Sequence, residues 1–355
     1  MVSNRVSAFT EWDPLEEVIV GVIHGAAVPK WDLLLQATMP SKHEAFYRLN
    51  GGKPFPKEQI DLANRDLDEF IKILEGEGVR VTRPDIMNFS TPYSTMSWES
   101  PGGLYAAMPR DVLLVFGEEI IECPMAWRSR YFEVNAYRSL LMEYFLSGAK
   151  WVSAPRPQLS DQLYNFSYKE ATCLEEMEYA ITEFEPTFDA ADFIRVGIDI
   201  VVQRSHVTNQ IGIEWLRRHL GPTYTIHEIE VNDLHPMHID ATVMPLAPGK
   251  LLINPERLTK IPEIFSKWDI LEAPTPCLSD DHTLYMTSKW INMNVIMLDE
   301  ERVIVEKDEE SIYKAFKSWG FKPIKCSFKN FNTFGGSFHC ATLDVRRRGT
   351  LKSYR

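Results

Sequence analysis

Four times along the chain a strand-sized apolar run meets a tight polar turn and then a second such run. The stretches are 108–124, turning at Gly117-Glu118; 188–205, at Gly197; 238–255, at Pro248-Gly249; and 289–307, at Asp299-Glu300. β-Branched residues around short polar turns predict β-hairpins. Helical apolar spacing fills the gaps over 57–75, 133–146, 207–220, 257–268 and 311–319. A short strand pattern follows most of these, over 79–81, 150–152, 224–229, 269–271 and 322–326. The repeating unit is therefore hairpin, helix, strand, recurring about every 50 residues with a longer gap between the first two copies. A fifth unit has to be shared by the chain ends, 338–345 and 15–21, which closes a ring without a free sheet edge. The expectation is α/β: a five-bladed pseudo-symmetric α/β propeller, one domain over 1–355. The alternative is an α+β protein with an irregular mixed sheet. The longest connections, 82–106 and 155–188, fit lids or binding loops.

Composition narrows the function. With 355 residues, 45% of them apolar, the chain can bury a core without covalent staples. Lys+Arg 38 against Asp+Glu 50 gives a net charge of −12. That balance argues against nucleic acid or an anionic membrane surface as partner, and it is compatible with a cationic substrate. No apolar run approaches the ~20 residues of a membrane helix. The first residues lack a basic stretch followed by an apolar one, so no secretory signal and a cytoplasmic location are expected. Five cysteines without a CxxC spacing or a close Cys/His pairing suggest neither a disulfide framework nor a structural zinc site. One of those thiols is then a candidate nucleophile.

Polar residues recur where the hairpins begin: Asp111, Asp189, His238 with Asp240, and His339 with Cys340. Taken singly, the cysteine reads as a small buried hydrophobe and each Asp as a turn former. Equivalent positions in a ring of modules would instead bring them to one end of a central channel. If the segments are strands, His238 and Asp240 face one side, while His339 and Cys340 face opposite sides. His238 is then the better base for Cys340. A Cys–His pair backed by a carboxylate is a nucleophile arrangement. Two further carboxylates, Asp111 and Asp240, match the planar guanidinium fork.

These motifs resemble a known family. Residues 189–193 (DAADF), 237–242 (MHIDAT) and 335–349 (GGSFHCATLDVRRRG) closely resemble the arginine:glycine amidinotransferases and the related inosamine-phosphate amidinotransferases. The likeness extends from 11–21 (EWDPLEEVIVG) through 108–111 (MPRD), 124–130 (PMAWRSR), 203–205 (QRS) and 254–257 (NPER) to the C-terminus. It implies the propeller fold of guanidino-modifying enzymes and transfer of the amidino group of L-arginine to an amine through a covalent amidino-cysteine. Cys340 would be the nucleophile, His238 the general acid/base, and Asp189 the carboxylate that orients the imidazole. Asp111 and Asp240 would hold the guanidinium and Arg257 the α-carboxylate. Ser288, within the motif 286–290, would belong to a substrate loop. Met237 matches the glycine-type enzymes, whereas His235 stands where they carry Asn, in the acceptor pocket. Glycine is the first acceptor expected; lysine, a natural-product amine, or water in a deiminase-like hydrolysis are the alternatives. No metal and no organic cofactor is expected. The partners are small-molecule substrates and, at most, a second copy of the chain in a homodimer.

Overall fold

A computed structural model describes residues 4–39, 41–279, 282 and 288–355. Five three-stranded sheets repeat one pattern, an antiparallel pair followed by a parallel third strand. The first three comprise Leu113–Phe116, Glu119–Glu122 and Lys150–Ser153; Phe193–Val196, Asp199–Val202 and Thr225–Glu228; and Val243–Ala247, Lys250–Ile253 and Asp269–Glu272. Ile296–Met297, Arg302–Glu306 and Lys322–Cys326 make the fourth. The fifth joins the chain ends: Thr342–Arg347 runs antiparallel to Leu15–Val20, which pairs in parallel with Arg80–Thr82.

A parallel third strand requires a crossover. Helices Arg138–Leu146, Gln210–Leu220 and Glu310–Ser318 supply it in three sheets, and Lys57–Gly76 in the sheet made of both ends. Lys57–Gly76 buries Ala63, Leu67, Phe70 and Leu74 along one stripe, the expected amphipathic face. The helix expected over 257–268 does not form. Turns and a single 3-10 turn, Glu263–Phe265, take its place. Pro262 is the cause, because it lacks an N–H and disfavours helical backbone at the preceding residue. The connection 82–106 is not wholly irregular either: Tyr93–Ser94 pairs with Glu99–Ser100, and Leu104–Ala106 pairs with Val22–Ala27. Two helices without a strong sequence signal, Leu33–Thr38 and Glu44–Asn50, precede Lys57–Gly76.

The hairpin turns need left-handed backbone, which Gly117 and Gly197 adopt at φ +57° and +71°. What positions chemistry is the other end of each hairpin. The first strand of every sheet is entered from a helical turn: Pro109–Val112, Ala190–Asp192, Ile239–Ala241, Lys289–Met293, and the turn in which Ala341 N–H donates to the Ser337 carbonyl at 2.8 Å. Asp111, Asp189, His238, Asp240, Ser288 and Cys340 stand on or beside these turns, not on strands, while Arg257 follows the strand Lys250–Ile253. The strand alternation expected for 238–240 and 339–340 therefore does not apply. Among the described residues no helix is long and apolar enough to cross a membrane.

Candidate active site

Cys340 lies two residues before Thr342–Arg347, in a turn tied to a neighbouring entry turn through Asn294. The Asn294 carboxamide oxygen accepts the backbone N–H of Ser337 and of Cys340, each at 3.0 Å. With the carboxamide so oriented, its Nδ2 donates to Cys340 Sγ at 3.1 Å. Gly336 makes this packing feasible, since a β-carbon there would fall 2.6 Å from both Cys340 Cβ and Met108 Sδ.

His238 faces the thiol from the entry turn of the third sheet. Its backbone sits at φ +59°, ψ 120°, a conformation that costs a non-glycine residue about 1–3 kcal/mol and is found mainly at functional sites. Nε2 hydrogen-bonds to Asp189 Oδ2 at 3.1 Å, and Nδ1 lies 3.8 Å from Asp111 Oδ1. Trp127 Nε1 also donates to Asp189 Oδ2 at 3.1 Å. Arg130 holds the second oxygen of Asp111 at 2.9 Å and is itself pinned by Glu133 at 2.9 Å. Asp111 Oδ1 is buried and has no hydrogen-bond partner. One donor atom from each of Asp111, His238 and Cys340 lies within 4.8 Å of the other two.

Asp240 accepts from the Cys340 thiol at 3.2 Å and also contacts His339 Nδ1 at 2.8 Å. The other nitrogen of His339 meets Glu11 at 3.3 Å. His339 and Cys340 thus converge on one carboxylate instead of facing opposite sides, because a helical turn separates adjacent side chains by far less than a strand does. His339 is still unsuited to act on Cys340, since carboxylates occupy both of its nitrogens.

The electrostatics follow from burying three carboxylates around one imidazole. Burial works against charge on His238, but Asp111, the Asp189 hydrogen bond and Asp189's charge overcome it and push the imidazole up to about 10. Burial, then the charges of Asp240 and Asp111, drive the Cys340 thiol well above the usual range. Asp240 goes the other way. Burial raises it, yet the His339 hydrogen bond and charge hold it below the ordinary carboxylate value. These directions favour an imidazolium beside a protonated thiol; burial also raises Asp111, against the charges of His238 and Arg130, and a cation arriving between Asp111 and Asp240 would favour the ionised form of both.

A cavity of about 440 Å³ opens onto this cluster. His238, Asp240 and Cys340 line it together with Met237, His235, Arg257 and Ser288; Asp111 and Asp189 flank the His238 ring at Nδ1 and Nε2 just beyond the lining. Arg257 donates to Asp233 at 3.0 Å and to Ser288 Oγ at 3.5 Å. Of the expected substrate-loop motif 286–290, residues 286 and 287 lie outside the described residues. His235 Nδ1 contacts the Ala37 carbonyl at 2.9 Å and Nε2 lies 3.4 Å from Glu170. This ties the rim of the cavity to helix Leu33–Thr38 and to the connection 155–188. All nine sequence-predicted site residues belong to this one region. Asn294, Arg130, Trp127 and Glu11 were not foreseen. Asn294 had a usable signal, because it precedes its strand by two residues as Asp111 and Cys340 precede theirs.

No family model matches the chain. Among curated proteins it is 60% identical to the L-arginine:L-lysine amidinotransferase of Pseudomonas savastanoi pv. phaseolicola, over 99% of this chain and 97% of that one. It is 51% identical to the mitochondrial glycine amidinotransferase of Danio rerio, over 98% and 84%. Among solved structures, SxtG, an amidinotransferase of Microseira wollei in the saxitoxin biosynthetic pathway, superposes with TM-score 0.92 at 54% identity, covering 99% of this chain and all of that one. The inosamine-phosphate amidinotransferase of Streptomyces griseus superposes with TM-score 0.87 at 34% identity, covering 98% and 99%.

Proposed function

This chain belongs to the amidinotransferase family, enzymes that move the amidino group of arginine to an amine, and from that premise we propose how its own residues carry the transfer. The guanidinium of L-arginine enters between Asp111 and Asp240, with its α-carboxylate toward Arg257 and Ser288. The observation that carries this reading is the cluster itself. A buried thiol, an imidazolium and an unpartnered carboxylate oxygen meet at the end of a cavity whose rim offers a guanidinium to a carboxylate.

The arriving cation offsets the two carboxylate charges that help hold the thiol protonated, and the thiol proton passes to solvent, since His238 already carries its own. Thiolate attack on the guanidinium carbon forms the C–S bond. The C–N bond to ornithine breaks as His238 delivers a proton to the departing nitrogen. Neutral His238 then takes a proton from the acceptor amine as that amine attacks the amidino-cysteine and expels the thiolate. Asp189 fixes the imidazole so that Nδ1 faces the reacting atoms. Fixed carboxylates stabilise positive charge throughout, so the scheme calls for no metal or organic cofactor.

The acceptor we propose is an amino acid with a terminal side-chain amine, with L-lysine as the representative. In a ping-pong cycle the acceptor occupies the place that ornithine leaves. Lysine is one methylene longer than ornithine and carries the same carboxylate for Arg257. His235, at the position where the glycine type carries Asn, supports this reading; Met237, shared with the glycine type, keeps glycine as the second. The five like sheets support reading residues 1–355 as a single five-bladed α/β propeller around this site.

Mixing the protein with arginine alone should add about 42 Da, one amidino group, at Cys340. Adding amines then separates the acceptors by their guanidino products. Ornithine release without an adduct overturns the covalent scheme, and citrulline formation without any amine favours the hydrolytic alternative.

A further inference from the structure

Among the described residues, Asp111, His238 and Cys340 also form the one group of three side chains whose donor atoms could converge on a metal ion. Carboxylate, imidazole and thiolate are the ligand types zinc takes, and three protein ligands leave a fourth position open. The sulfur is held by Asp240 and Asn294 and has to give up its bond to Asp240 to bind an ion, whereas the Asp111 oxygen is free of hydrogen bonds. Asp111 Oδ1 has no partner, His238 Nδ1 lies 3.8 Å from it, and Cys340 Sγ completes the triangle within 4.8 Å. Tetrahedral zinc, with bonds of about 2.0–2.2 Å to N and O and about 2.3 Å to S, sets separations of about 3.3–3.5 Å between O and N and about 3.5–3.7 Å to S. At 3.8 Å the carboxylate–imidazole side is a few tenths of an ångström wide, and the thiol, within 4.8 Å of both, has to close by no more than about 1.3 Å.

The surrounding shell fits the same reading. A metal-bound histidine ordinarily donates its second nitrogen to a carboxylate, and ligating carboxylates are themselves hydrogen-bonded. Here His238 Nε2 faces Asp189 at 3.1 Å, Asp111 Oδ2 accepts from Arg130 at 2.9 Å, and Asn294 Nδ2 donates to the sulfur at 3.1 Å. Every ligand is oriented from behind, and the cavity supplies the entry path.

We propose that this triad is a reversible inhibitory site for a thiophilic divalent cation of the zinc class, one ion per chain, binding in place of the arginine guanidinium. The ion displaces two protons to solvent, one from the thiol and one from Nδ1 of the His238 imidazolium, and binds thiolate, imidazole and carboxylate, with water in the fourth position. It plays no part in turnover; by holding the sulfur it stops the donor step.

Equilibrium dialysis against Zn²⁺ alone, with metal counted per chain, tests the proposal without reference to activity. One ion should bind to the wild type and be displaced by arginine. Cys340→Ala and Asp111→Asn should each lose that ion, with the fold checked by circular dichroism, while Cys277→Ala, which removes an exposed thiol, should retain it. Co²⁺ in place of Zn²⁺ should show a thiolate charge-transfer band that is absent from Cys340→Ala. Stoichiometry unchanged in Cys340→Ala, or zinc that arginine does not displace, overturns the proposal. Either result leaves the transferase scheme standing, because that scheme is read from the adduct.

Discussion

At the scale of single residues, the carboxamide of Asn294 locks the nucleophile's turn with its oxygen and presents its Nδ2 to the sulfur. A fixed donor aimed at a thiolate acts as an oxyanion-hole donor does, and losing one such donor typically costs about 10²–10³ in rate. Asn294→Ala should slow ornithine release by about that factor and shift the pH dependence of Cys340 alkylation upward. Asn294→Asp restores a backbone acceptor but adds negative charge beside a thiol already raised by Asp240 and Asp111. It should shift the alkylation profile further still. An unshifted profile in both variants would reduce Asn294 to a structural role. Arg257 separates binding from chemistry. Arg257→Ala should weaken arginine by about 2–5 kcal/mol, the scale for truncating one partner of a hydrogen-bonded charge pair, while agmatine, which has no carboxylate, should lose little. Equal losses in kcat/KM for both would place Arg257 in the fold instead. Cys340, His238, Asp189, Asp111 and Asp240 were legible in the sequence because they fall at like places in a repeated unit. Asn294 falls at the same place but was passed over, since an amide carries no chemistry of its own until a thiol stands beside it.

At the scale of elements, hairpins, helices and short third strands were legible wherever apolar period and turn residues agreed. Two kinds of feature were not. One is the set of helical turns entering each sheet, three to five residues long. That is too short for any periodicity, yet they decide where the site residues point. The other is the absent helix over 257–268, where a plausible apolar spacing is overruled by Pro262. The glycines before Cys340 illustrate what such turns demand. Gly335 lies at φ +96° on the cavity wall, and Gly336 leaves the space filled by Cys340 Cβ and Met108 Sδ. Gly336→Ala should cost about 1–3 kcal/mol, the usual range for overpacking a tight core, and should reduce adduct formation more than overall stability, because what must move is the nucleophile's own turn. Thermal melts together with the rate of mass gain on arginine check both parts. Full adduct formation at the wild-type rate would show that the turn yields elsewhere.

At the scale of the molecule, a fifth sheet made of both chain ends was legible from the two half-units, but what reinforces it was not. Charged residues near strand ends ordinarily point to solvent, whereas here five of them, Glu11, Arg110, Arg195, Asp344 and Arg347, are buried together. Glu11 chelates Arg195 at 2.9 and 2.8 Å and meets Arg110 at 3.4 Å, while Asp344 contacts Arg110 at 2.8 Å and Arg195 at 2.5 Å. The network links the N-terminal segment, the middle of the chain and the last strand. Through Glu11 and His339 it also reaches Asp240 at the site. Burial alone would raise Glu11 and Asp344; for Glu11 the charge of Arg195 comes next and for Asp344 that of Arg110, and both carboxylates are held below their ordinary range. Groups lowered in the folded state contribute stability that is present above the unfolded carboxylate values near 4 and is lost as pH falls through the folded ones. Arg195→Ala removes the guanidinium shared by two buried carboxylates, leaving Glu11 to Arg110 and His339 and Asp344 to Arg110 and Arg347; removing one partner of a buried pair costs up to about 3–5 kcal/mol. Urea midpoints should therefore fall sharply for the variant at pH 7. The gap from wild type should narrow below about pH 4, where the two carboxyls can take protons and the wild type is losing its own advantage. A gap of equal size at both pH values would mean that Arg195 acts through packing of its stem, and that the two chain ends are joined by the pairing of Leu15–Val20 with Thr342–Arg347 without help from the charges.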